Sequence, residues 1–103
     1  LDIVLSENKI PIRITDERWQ HIISRHPEMT GERERLLETI SSPDLILEGD
    51  AGAMLAVRHY KKTKITSKYL IAVYLEVKER DGFVLTAYYG NQYAKWRKVL
   101  WKK

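Results

Sequence analysis

Cysteine is absent from this chain of 103 residues, which excludes a disulfide scaffold and a thiolate metal site but says nothing about the cellular compartment. No apolar run approaches the roughly 20 residues that a bilayer helix needs, so a membrane is not an expected partner. HExxH spacing is missing, no acidic pair stands with a histidine at ligand spacing, and there is no Gly-rich phosphate loop. No metal or other cofactor is therefore expected. Internal repeats and low-complexity segments are also lacking. One further absence is local: between Ala51 and Leu75 there is no acid, whereas Arg58, Lys61, Lys62, Lys64 and Lys68 are all basic.

With 44% hydrophobic and 31% charged residues, the chain has the composition of a globular domain. Its length suits one domain spanning residues 1–103, with about two-thirds of the unfolded surface buried on folding. The opening residue is Leu1, as expected of a piece of a longer polypeptide. The net charge of +4 is unevenly spread. Beyond Asn91 every charged side chain is again basic (Lys95, Arg97, Lys98, Lys102, Lys103), while Glu28, Glu32, Glu34, Glu38, Asp44, Glu48 and Asp50 form an acidic block. Such asymmetry points to a phosphate-rich partner, or else to a solvated lysine surface.

Local patterns set the expected elements. Leu1 to Pro11 reads as a lead-in, and Ile10, Ile12 and Ile14 as a short extended piece. Thr15 is a suitable N-cap for a helix over Asp16 to Arg25, whose first-turn acids favour its positive end. Trp19, Ile22, Ile23 and His26 fall on one side of that helix; Arg18, His21 and Arg25 fall on the other. Pro27 ends it. Glu32 to Ser41 predicts a second helix, and strands follow over Asp44–Glu48, Ala53–Tyr60, Lys68–Val77 and Phe83–Gly90. Tyr93, Trp96 and Leu100 recur at helical spacing, which predicts a short C-terminal helix over Gln92–Trp101.

The expected fold class is α+β: two N-terminal helices packed on a four-stranded antiparallel meander sheet, with the C-terminal helix added. A hairpin pivoting about Arg80 would set Leu75 opposite Leu85, Val73 opposite Ala87 and Ile71 opposite Tyr89, all facing the helices. A second pivot near Lys64 would set Val57 opposite Ile71 and Arg58 opposite Leu70. This register predicts an open even-numbered face carrying Arg58, Tyr60, Tyr74, Thr86 and Tyr88. Arginine forks bind phosphate and tyrosines stack bases, so the face reads as a surface for single-stranded RNA; a polar face in water is the plainer alternative.

Histidines supply the possible chemistry. His21 lies on the basic side of the first helix as a surface residue or a proton carrier. His26, at the helix terminus, is either a core histidine or a side chain held at the sheet edge. His59 points toward the helices by strand parity and reads as structural.

Four short motifs occur in order: His21-Ile22-Ile23-Ser24-Arg25-His26-Pro27-Glu28, Ser42-Pro43-Asp44-Leu45-Ile46, Val57-Arg58-His59-Tyr60-Lys61 and Leu85-Thr86-Ala87-Tyr88. In this order the chain, from about Ile14 to Trp101, resembles the barnase/EndoU/colicin/RelE-like (BECR-fold) nuclease superfamily, in its phage-associated and polymorphic-toxin branches. The resemblance implies a metal-independent endoribonuclease, often a toxin cutting tRNA or mRNA. It implies catalytic roles for His26 or His21, Arg58 and Thr86, supported by Tyr60, Lys61 and Tyr88. Tyr74 would hold a base or donate a proton; Lys61, Lys62, Lys95 and Lys98 would hold the RNA backbone. Attack of a ribose 2′-hydroxyl on the adjacent phosphodiester would leave a 2′,3′-cyclic phosphate. Further implications are a cytoplasmic site of action, delivery within a larger secreted or phage protein, and silencing by an acidic immunity protein or antitoxin. The competing readings are a non-catalytic RNA- or ribosome-binding module and a protein-interaction domain that uses the acidic second helix.

Overall fold

The computed structural model describes all 103 residues as one mixed sheet of seven strands with two helices. The strands are β1 (Asp2–Leu5), β2 (Pro11–Ile14), β3 (Leu45–Glu48), β4 (Met54–His59), β5 (Tyr69–Lys78), β6 (Asp81–Gly90) and β7 (Val99–Lys102). Their spatial order is β1-β2-β6-β5-β4-β3-β7. All pairs are antiparallel except β2 with β6. Helix α1 (Asp16–Arg25) begins where expected, with the Thr15 hydroxyl accepting from the Arg18 amide at 3.1 Å. Helix α2 (Arg33–Ser41) follows a 3₁₀ turn over Pro27–Met29.

The expected four-stranded meander with a C-terminal helix is thus overturned at both ends. Before α1, the lead-in forms a β1–β2 hairpin that joins the sheet through Ile12 opposite Gly82 and Arg13 opposite Phe83. Glycine is required at that junction, because a Cβ at Gly82 would stand 2.4 Å from the Leu75 carbonyl oxygen. After β6, residues 91–98 cross as a loop, and the chain returns as β7 rather than as a helix. Free backbone groups on β3 decide this: the Glu48 amide donates to the Lys98 carbonyl at 2.8 Å, and β7 pairs with Leu45 to Leu47. Trp96, expected at helical spacing with Tyr93 and Leu100, lies in this loop and is 78% exposed.

Register also differs from expectation. The β5–β6 hairpin turns on Glu79-Arg80, with Lys78 opposite Asp81, so Ala72 faces Ala87 and Leu70 faces Tyr89. Irregularities leave Val77 and Leu85 unpaired and bring Tyr74 opposite Val84. Between β4 and β5 the expected pairs Val57–Ile71 and Arg58–Leu70 are present. The faces, however, are exchanged on both strands. Ala56, Leu70, Ala72 and Tyr74 join Ile12, Ile14, Trp19, Ile22, Met29, Leu36 and Ile40 in the core under the helices. Leu55, Val57 and Ile71 join Leu45 and Leu47 in a smaller core on the opposite face, with Tyr69, Tyr88 and Tyr93 packed against it. The expected even-numbered open face is therefore divided between the two sides of the sheet.

Candidate active site

Beyond its short pairing with β2, strand β6 has a free edge from Leu85 to Tyr89, and α1 with the following turn runs beside it. Backbone groups on a free edge need partners, and side chains from the helical segment provide them. Arg18 donates to the Leu85 carbonyl at 3.2 Å. Glu28 accepts from the Tyr89 amide at 3.4 Å. His21 and Arg25 follow Arg18 at helical spacing, and both are exposed.

His26 is the C-cap of α1, its amide donating to the Ile22 carbonyl at 2.7 Å. Pro27 prevents further helix, so the chain turns and brings Glu28 back toward the imidazole. Nδ1 of His26 lies 3.8 Å from Oε2 of Glu28, the oxygen that meets the Tyr89 amide. The imidazole and the Tyr88 ring have centroids 5.6 Å apart and planes tilted by 35°. His26 keeps 34% of its side chain exposed, compared with 23% for Glu28. Thr86 and Tyr88 alternate on β6 to the same, helix-free face, opposite Val73 and Ile71. The structure thus brings His26, Glu28 and Tyr88 together, with Thr86 two residues before Tyr88 on the same face of β6, and places Arg18 and His21 further back along the helix that His26 caps.

Arg58 occupies a different place. It points to the helix side of β4, where it donates to the Ser42 carbonyl at 2.5 Å and lies 3.5 Å from Glu38 and 5.5 Å from the centre of the Tyr60 ring. Tyr60 donates to Glu38 at 2.7 Å, and burial pushes its hydroxyl above the ordinary tyrosine range. Together these groups tie α2 to β4. Tyr74 has no exposed surface, and its hydroxyl has no hydrogen-bond partner. Tyr74 is consequently a core residue, whereas an open-face position was expected. Lys61 and Lys62 are exposed in the loop after β4, where Arg35 holds the Lys62 carbonyl at 2.7 Å. Lys95 reaches over Tyr93 at 5.9 Å, and Lys98 precedes β7. His59 is exposed on the helix-free face, not turned to the helices.

Sequence reasoning missed the roles of Glu28 and Arg18. Pro27 signalled the end of the helix, but the return of Glu28 toward its C-cap comes from the 3₁₀ turn over Pro27–Met29. Arg18 required the β6 edge to be known. No three His, Asp or Glu side chains converge as a metal-binding group. Comparison with family models, curated proteins and solved structures returns no match to this chain.

Proposed function

We propose that this chain is a metal-independent, toxin-like endoribonuclease that cuts RNA, tRNA or mRNA, by 2′-hydroxyl attack. One observation carries the reading: His26 sits part-exposed at the free edge of β6, with Glu28 on its Nδ1 side and Tyr88 beside its ring. At 3.8 Å the Glu28 carboxylate is a charge neighbour of Nδ1 without a hydrogen bond to it, which favours the imidazolium formed when Nε2 takes a proton from the substrate. In this reading Nε2 takes the proton of the ribose 2′-hydroxyl as that oxygen bonds to phosphorus. The bond from phosphorus to the 5′ oxygen breaks, and the leaving oxygen takes a proton from the Tyr88 hydroxyl or from water. The products are a 2′,3′-cyclic phosphate and a free 5′-hydroxyl, so no co-reactant is consumed.

Arg18 keeps guanidinium N–H groups beyond the one given to Leu85, and Arg25 is exposed; either can offset charge developing on the phosphate oxygens. Thr86 would orient the phosphate. Arg58 supports α2 instead of the reacting group, because its partners are Ser42, Glu38 and Tyr60. The motif order that resembles the BECR superfamily supports the same reaction class. The basic rim of Arg18, His21 and Arg25 is also the surface that an acidic immunity protein or antitoxin would cover, keeping the enzyme silent until it acts in a cytoplasm.

The test is cleavage of total tRNA, free rRNA and intact ribosomes in EDTA. Fragments with 2′,3′-cyclic ends are expected from the wild-type protein, and His26→Ala should slow their formation by about 10²- to 10⁴-fold without unfolding the chain. Thr86→Val should fold and cut more slowly. Intact RNA in every lane would remove catalysis; undiminished cleavage by His26→Ala would pass the role of base to His21.

A further inference from the structure

On the helix-free face, an aromatic row leads away from His26 across three strands. Tyr88 of β6 stands opposite Ile71 of β5, Tyr69 is two residues before Ile71 on the same face, and His59 of β4 is the direct cross-strand partner of Tyr69. The rings touch edge to face: His59 and Tyr69 have centroids 5.1 Å apart, and Tyr69 and Tyr93 5.5 Å apart. Tyr93 comes from the loop over 91–98, and Lys95 of that loop places its ammonium 5.9 Å from the centre of the Tyr93 ring. Tyr69, Asn91, Gln92, Tyr93 and Lys95 line a cleft of about 370 Å³.

We propose that this row is a base-stacking platform for single-stranded nucleic acid, holding the nucleotides next to the phosphodiester at His26. The proposal rests on the ribonuclease reading for its biological use but not for its chemistry. Packing of the small core explains one side of Tyr69 and Tyr93. It does not explain the exposed imidazole of His59, the polar cleft wall of Asn91 and Gln92, or a lysine poised at the rim. Aromatic side chains on neighbouring strands of an open sheet face stack about two or three successive bases in common single-stranded RNA modules. The π-face of any base suits such a row, so sequence preference is weak and a duplex, whose bases are already stacked, is excluded. The platform therefore selects the form of the substrate: an unpaired loop or tail, with Lys95 on a flanking phosphate.

Binding can be separated from cleavage with a labelled 2′-deoxy ten-nucleotide single strand, which lacks the attacking hydroxyl. By fluorescence anisotropy the wild-type protein should bind this probe more tightly than a duplex of equal length. Tyr69→Ile keeps bulk over the small core and should weaken binding about tenfold, the size of one lost base–aromatic stack. His59→Ala, at an exposed position, should weaken it several-fold with the melting temperature unchanged. Lys95→Ala should lower the slope of log affinity against log salt by about 0.7. Wild-type affinity in both Tyr69→Ile and His59→Ala, or preference for the duplex, overturns the platform even if RNA is cleaved. Probe binding that depends on Tyr69 sustains it even if no RNA is cleaved, in which case the nuclease reading alone falls.

Discussion

The two faces of this sheet carry similar side chains put to different uses. On the helix-covered face Arg58, Tyr60 and Tyr89 are committed: Arg58 to the Ser42 carbonyl, Tyr60 to Glu38, and Tyr89 to Glu32 at 2.9 Å. Each bond fastens α2 to a strand, and each donor so used is unavailable to a ligand. At the β6 edge and on the helix-free face, His26, Tyr88, Tyr69 and His59 lean on other rings and keep part of their surface open. Residue type does not distinguish an arginine that holds a fold from one that holds a phosphate. What distinguishes them is how far the protein has already engaged the charge: Arg58 gives Nη1 to Ser42 and faces Glu38, although its buried Nε makes no hydrogen bond, whereas the open-side groups face solvent.

Arg58 provides the most severe test of that contrast. Arg58→Ala removes the tie to Ser42, leaves Glu38 without its cation and strips packing from Tyr60, so it should cost about 2 kcal/mol of stability. Cleavage per folded molecule should stay near wild type. Urea denaturation gives the first quantity, and turnover measured well below the midpoint gives the second. A folded Arg58→Ala protein with cleavage reduced a hundredfold would break the contrast and return Arg58 to the site. The matched variant on the open side is His26→Ala, where the losses should be reversed: activity gone and stability nearly kept.

How far the sequence disclosed this arrangement follows from the same contrast. Helix α1 was legible to the residue, because Thr15, the apolar stripe and Pro27 are local signals that tertiary packing did not override. The pairing of β4 with β5 was legible too. Facing was not. Leu70 to Tyr74 is apolar at every position, since helices cover one side and the 91–98 loop helps cover the other; alternation, the usual guide to facing, is missing there. Turn length then settled what periodicity left open. A two-residue turn at Glu79-Arg80, where a pivot on Arg80 alone was expected, shifts the cross-strand pairs by one and sends Tyr74 inward. The C-terminal segment misled because Tyr93, Trp96 and Leu100 match a helical period, yet the unpaired edge of β3 offers Val99 to Lys102 a strand's hydrogen bonds. At the candidate site, the meeting of His26 with Tyr88 was not legible, because it depends on the free β6 edge lying beside the end of α1.

A smaller effect is expected from Tyr74. Its hydroxyl is buried without a partner, and burial, then the nearby charges of Glu76 and Glu7, push its ionisation well above the ordinary range. A buried hydroxyl that makes no hydrogen bond costs more than it returns. Tyr74→Phe should therefore raise stability by about 1 kcal/mol, read from the urea midpoint at constant slope. Cleavage and probe binding should not change, because the ring lies under the helices. A loss of stability of similar size would show that the hydroxyl has a partner, and reduced cleavage would place Tyr74 in the working face after all.

The smallest effect concerns the clamp on the 91–98 loop, which carries Tyr93 and Lys95. Arg97 donates to both carboxylate oxygens of Asp50, at 3.2 and 3.3 Å, and to the Glu48 carbonyl at 3.1 Å. The hydrogen bond from Arg97, and then its charge, lower the Asp50 pKa from the ordinary 3.8. A lowered folded-state pKa means that this stabilisation is fully present above 3.8 and is lost as pH falls through the lower folded value. Because Asp50 is fully exposed, water and salt screen the contribution. Asp50→Asn should thus lower the melting temperature slightly at neutral pH and leave it unchanged in strong acid, where the wild-type carboxylate is also neutral. Amide exchange across 91–98 should quicken in the variant at neutral pH while exchange in β5 stays constant. Should the loop amides keep their protection, Tyr93 packing and the Glu48–Lys98 bond hold the loop by themselves, and the open face is more rigid than the contrast with the helix side requires.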